Sequence, residues 1–205
     1  MRNIKNGLIM KITGFIAISF SIVCSTAACS DDPVAVANPE PAVTVVKVPN
    51  GSFEEDAAET ASPKGWTVSG DYSAAKVVQG GCEGNYALQY GATSAYTVST
   101  RQTVNGLEDG IYDLEFYYKS TGGQISCYVA AGTDTKKMTS LQASPSTWVR
   151  SYVRGIKVEG GKCDIEIHSE SAEANWSRFD GLRLKKTEKA VSYTHLRAHE
   201  TVLDL

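Results

Sequence analysis

Apolar and polar residues alternate in short runs through the middle of the chain, and Gly, Asn, Ser and Pro separate the runs. In Tyr112-Asp113-Leu114-Glu115-Phe116-Tyr117-Tyr118, one face carries Tyr112, Leu114, Phe116 and Tyr118, and the other carries Asp113, Glu115 and Tyr117. A period of two puts neighbouring side chains on opposite faces of a strand, so this segment predicts a half-buried β-strand. Cys163-Asp164-Ile165-Glu166-Ile167-His168 repeats the pattern and puts His168 on the solvent face. Further strands are predicted at Thr44–Val48, Ala74–Val78, Tyr86–Gln89, Ala95–Val104, Gln124–Ala130 and Trp148–Val153, with a turn at Gly106–Gly110. No long segment has helical periodicity. Many short strands joined by turns predict an all-β sandwich.

The two ends follow other rules. Met1-Arg2 and Lys5 precede an apolar stretch, Ile12 to Val23, of signal-peptide rather than membrane-spanning length. Thr26-Ala27-Ala28-Cys29 then places small residues before a cysteine, and Ser30-Asp31-Asp32 follows. This resembles a relaxed lipoprotein signal with Cys29 as the lipidated residue; secretion with cleavage after Ala28 is the other reading. Residues 1–28 are therefore expected to be a signal peptide and 29–43 a proline-containing tether. A lipid anchor implies an outer-membrane, surface-exposed lipoprotein. At the other end, Val191 to Thr201 resembles a translated sequencing adapter, so residues 191–205 are expected to be foreign to the protein. His195 and His199 stand at i, i+4, a spacing that can bind zinc on a helix. Lying in that tail, they receive no function. Residues 187–190 are then expected to begin a linker to a region missing after about Ala190.

Residues 44–186 are left for one domain, long enough to bury a core. The formal charge of −3 and the lack of a basic block argue against nucleic acid as a partner. Three cysteines lie in this domain. Cys127 shares strand parity with Ile125 and Val129, and Cys163 with Ile165 and Ile167, so both are expected to point inward. Export would allow a disulfide between Cys127 and Cys163 if their strands adjoin; two buried free thiols are the alternative. Asp180 shares parity with Leu182 and Leu184 and so begins a core-facing row, where a carboxylate is costly unless compensated.

A scattered frame runs through the domain. It opens Asn50-Gly51-Ser52-Phe53-Glu54, continues to Gly65-Trp66, and closes Asn175-Trp176-Ser177-Arg178-Phe179-Asp180-Gly181-Leu182-Arg183-Leu184. It resembles the galactose-binding-like jelly roll of carbohydrate-binding modules. With Gly84-Asn85-Tyr86, Ser94-Ala95-Tyr96, Gln102-Thr103, Gly122-Gly123-Gln124 and Cys127-Tyr128, it resembles more narrowly the galactan-binding modules of bacterial arabinogalactan endo-β-1,4-galactanases. The resemblance implies a non-catalytic module that binds β-galactan polysaccharide, carried by a glycoside hydrolase absent from this chain. It also implies a structural calcium as the compensation for Asp180, with Glu54 as second carboxylate and backbone carbonyls near Asn50 and Ser52 completing an oxygen shell. The alternative is an Asp180 that is exposed or bonded to backbone amides.

Sugars present apolar CH faces and polar rims, so a sugar site needs an aromatic platform beside hydrogen-bonding groups. Trp176 in a polar loop, flanked by Asn175 and Arg178, fits that need. So do Tyr90 and Tyr96, set among small residues, with Arg101 and Gln102 further on. Any of these aromatics could instead serve packing, and Trp66 is expected in the core. No nucleophile elbow, metalloprotease helix or phosphate loop occurs. A structural or protein-interaction sandwich in a surface glycan-uptake complex is the alternative function.

Overall fold

A computed structural model describes residues 43–133 and 136–187. The signal, most of the tether, Cys29 and the adapter-like tail lie outside the described residues. The described residues belong to one compact unit, Glu40–Leu205.

Among the described residues, eleven strands pack as two antiparallel sheets. They are β1 (Thr44–Lys47), β2 (Thr67–Gly70), β3 (Ala75–Gln79), β4 (Tyr86–Gly91), β5 (Tyr96–Asn105) and β6 (Gly110–Ser120). Then come β7 (Ser126–Ala131), β8 (Lys137–Ser140), β9 (Ser144–Val158), β10 (Lys162–Ser171) and β11 (Trp176–Lys186). One sheet runs β3-β4-β11-β6-β9, with β1 also paired to β11; the other runs β2-β5-β10-β7-β8. The all-β sandwich read from alternation is therefore the observed architecture.

The period of two decides which residues fill the space between the sheets. Tyr112, Leu114, Phe116 and Tyr118 of β6 are all buried, as are Cys163, Ile165 and Ile167 of β10. They meet Phe179 and Leu184 of β11, Leu88 and Tyr90 of β4, and Val98 and Val104 of β5 in one cluster. Trp66 joins it as expected, with its ring 5.8 Å from that of Phe53 and its indole N–H donating to the Asn50 carbonyl. Burying each such large side chain stabilises the fold by roughly 1.5–3 kcal/mol.

Two parity readings need correction, and the two alternatives for the cysteines are decided. Ile125 precedes β7 and is exposed, so Cys127 shares its buried face with Val129 alone of the two neighbours named. Cys127 and Cys163 do not adjoin. Cys127 sits opposite Ser169 of β10, six positions along that strand from Cys163. The rise of a strand puts that separation at about 20 Å, beyond the ~7 Å that a disulfide can span. Both are free, buried thiols, and burial pushes Cys163 up to about 11. Asp180 is buried, but not in the row of Leu184. A bulge between Asp180 and Arg183 shifts the register, so Phe179 faces inward opposite Tyr118 while Asp180 lies opposite the outward-facing Tyr117. Parity extrapolated across Gly181 fails there because a bulge inserts an extra residue.

Candidate functional site

Asp180 is covered by the loop between β3 and β4. Its carboxylate accepts N–H bonds from Cys82 at 2.5 Å, Glu83 at 2.8 Å and Gly181 at 2.7 Å. Glu54 grips the same loop, accepting from Asn85 at 2.8 Å and Tyr86 at 2.6 Å. Two carboxylates thus hold one hairpin through its backbone amides. Burial pushes the Asp180 carboxyl up to about 7, against the pull of its amide donors. Of the oxygens expected near calcium, those of Asn50 also have protein partners. The Asn50 carbonyl accepts from Phe53 and Trp66, and its side chain bonds Asp56, Lys64 and Glu55. Among the described residues, no three His, Cys, Asp or Glu side chains are gathered as a metal would require. Asp180 and Glu54 thus both take hydrogen bonds from backbone amides of the loop that covers them.

The expected sugar residues divide into three places. Trp176, Asn175 and Arg178 come together at the start of β11, where it pairs with β4. They line a surface groove of ≈ 480 Å³ with Gln89, Gly91, Ala92, Thr93 and Ala174. Trp176 is half-buried, its ring capped by the Arg178 guanidinium at 5.7 Å. Arg178 is held in turn by Gln89, Nε to Oε1 at 2.8 Å, and by the Gln79 carbonyl at 3.4 Å. Thr121 fixes the Trp176 backbone from the other side: its Oγ1 donates to the Trp176 carbonyl and accepts from the Trp176 N–H. Gln124 donates to the same carbonyl. Gly91 lets the platform seat closely, since a Cβ there would lie 3.1 Å from the Trp176 Cβ. The result is an aromatic plate with a guanidinium and amides at its rim, the chemistry that a sugar ring requires.

Tyr90 and Tyr96 do not line this groove. Tyr90 is fully buried and donates to the Ile167 carbonyl at 3.1 Å. Tyr96 is buried too; its hydroxyl donates to the Asn175 carbonyl at 2.9 Å and meets Ser169 Oγ. Their even spacing along β4 and β5 turns both rings inward. Tyr96 is a positioning residue for the Asn175 loop, and what the Tyr90–Tyr96 segment gives the groove is Gly91, Ala92 and Thr93.

Arg101 and Gln102 are on the other sheet. Arg101 faces away from the core, as its parity requires, and pairs with Glu166 at 2.7 Å. Gln102 points inward and donates to the carbonyls of Pro49 and Gly65. Its amide tethers the turns before β2, and with Arg101 it lines a separate groove of ≈ 340 Å³ on this sheet, away from Trp176. Near Arg101, His168 is not free in solvent. It stacks on Tyr128 at 4.7 Å and shares a 2.8 Å hydrogen bond with Ser99. Partial burial holds its pKa below the ordinary histidine value. Gln89 and Thr121 had no signal beyond being polar and near Gly or Tyr, and Gln124 entered only through the Gly122-Gly123-Gln124 segment of the resemblance; strand pairing brings them to Trp176.

No family model matches the chain, and no curated protein matches it. Among solved structures it is similar to TmCBM61 in complex with β-1,4-galactotriose. The TM-score is 0.59 and the identity 23%, over 68% of this chain and 97% of that one. The fold is the β-sandwich of carbohydrate-binding modules. It is also similar to the enzymatically active domain of bacteriophage CBA120 tailspike protein 4, with a TM-score of 0.51 and 15% identity. That match covers 67% of this chain but 21% of the tailspike chain.

Proposed function

We propose that this chain is a non-catalytic carbohydrate-binding module and that its Trp176 groove takes β-1,4-linked galactan. The observation that carries the reading is the half-exposed Trp176 plate, rimmed by Arg178, Gln89 and Asn175. The similar module bound to β-1,4-galactotriose supports the choice of galactan. Galactose suits a flat aromatic, because its axial hydroxyl leaves one face largely CH. Binding of this kind retains an attached catalytic domain on its polymer and raises local substrate concentration. An attached glycoside hydrolase and anchoring to the outer membrane through Cys29 belong to the same proposal.

The test is calorimetric titration of the chain with β-1,4-galactan oligosaccharides, with cellulose oligosaccharides as control. Binding is expected for galactan, and Trp176→Ala is expected to remove it with the melting temperature nearly unchanged. No binding by a folded chain would overturn the galactan reading in favour of a protein-interaction sandwich.

A further inference from the structure

The outer face of the β3-β4-β11-β6-β9 sheet has an uneven charge. Arg183 and Lys185 neutralise the buried Glu115, Arg183 also pairs with Glu83, and Arg154 pairs with Asp113. Lys76, Arg178, Lys119 and Arg150 on the same face have no ion pair among the described residues. Register places Lys76 opposite Gln89, Gln89 opposite Arg178, and Arg178 opposite Lys119. Like charges directly opposite each other on antiparallel strands are destabilising. This face keeps such a pair although the whole chain is acidic. On the other sheet, by contrast, Arg101 and Lys136 converge on Glu166.

Aromatic rings alternate with the paired and unpaired cations of this face. Lys119 Nζ stands 5.3 Å over Trp148, and the Arg150 and Arg154 guanidinium groups stand 5.8 and 4.2 Å from Tyr152. Arg183 caps Tyr117 at 5.7 Å, and Arg178 caps Trp176. Cation–π contact holds a cation over a ring without neutralising it. The face therefore offers flat apolar plates and unneutralised donors side by side. The geometry points to a second binding surface here, reaching from Arg178 toward Trp148, for a uronate-bearing polysaccharide. Such a chain combines sugar CH faces, which stack on the rings, with planar carboxylates, which match the guanidinium fork. A neutral galactan would fill the plates and leave the cations unanswered.

The experiment titrates the full chain with oligogalacturonate, with neutral β-1,4-galactan and with single-stranded DNA, at low and high salt. Oligogalacturonate is expected to bind at low salt and to weaken about tenfold at high salt, because exposed charges are screened. The double variant Lys119→Gln/Arg150→Gln is expected to weaken it about tenfold. The same variant should leave neutral galactan binding unchanged, and its melting temperature should not fall, since a like-charge pair is relieved. This separates the cationic face from the Trp176 groove: loss of neutral binding alone would strike the groove and spare this inference. Absence of oligogalacturonate binding would overturn it, as would equal binding to DNA or a double variant that binds as the wild type does.

Discussion

At the residue scale, two buried carboxylates show how environment sets behaviour. Asp180 has a carboxyl pushed up to about 7 by burial, above the ~3.9 of an unfolded aspartate. Between those values the folded state holds the extra proton, so stability from this group is greatest at low pH. It falls as pH rises from about 4 to about 7 and is level above. Asp180→Asn is expected to lose that slope; parallel melting curves of variant and wild type across this window would refute it. Burial would also raise Glu115, but Lys185 and Arg183 hold its carboxyl below the usual carboxylate range. Arg183→Ala leaves that buried carboxylate with Lys185 and the Tyr152 hydroxyl. A loss of about 3 kcal/mol in urea unfolding is expected; a loss within error would show that Lys185 and Tyr152 suffice. Parity in the sequence identified Arg101 as outward and Cys163 as inward. It could not say that Asp180 lies under the β3–β4 loop, because the amides that cover it are about a hundred residues away along the chain.

At the element scale, the bulge in β11 organises the site end of the sheet. Gly181 has φ +62°, and a Cβ there would lie 2.9 Å from Tyr117 and 3.0 Å from Glu83. Gly181→Ala is expected to cost about 2 kcal/mol, from left-handed backbone strain and that crowding. Equilibrium unfolding measures it, and an unchanged midpoint would mean that the bulge relaxes freely. Strong alternation made β4, β5, β6 and β10 legible in the sequence. The four-residue strands β2 and β8 were not, since a short run such as Lys137–Ser140 has too few positions to show a period. The length of β9 was underestimated at both ends: its first residues, among them Pro145, have little burial to pattern them, and an irregularity around Gly155 breaks the alternation before the buried Ile156 and Val158.

At the scale of the whole molecule, the sandwich is held by its core and by amide-bonded carboxylates, with Cys127 and Cys163 at separate places. A reductant is therefore expected to leave the melting temperature unchanged, and a drop would restore a disulfide. Calcium titration tests the cation expected near Glu54 and Asp180: a rise in melting temperature that EDTA reverses would support it, and no change would leave the loop amides as the partners of both carboxylates. The sequence by itself determined the all-β class, the inward rows of β6 and β10, and Trp176 as an aromatic ring flanked by Asn175 and Arg178 in one polar segment. These are local properties, written in a period of two and in neighbours along one strand. Only the tertiary structure decided that Tyr90 and Tyr96 face inward and that Arg101 belongs to the other sheet. It alone set Arg178 opposite Lys119 on a face rich in cations. Register between strands far apart in the chain makes those relations, and no residue encodes its register alone.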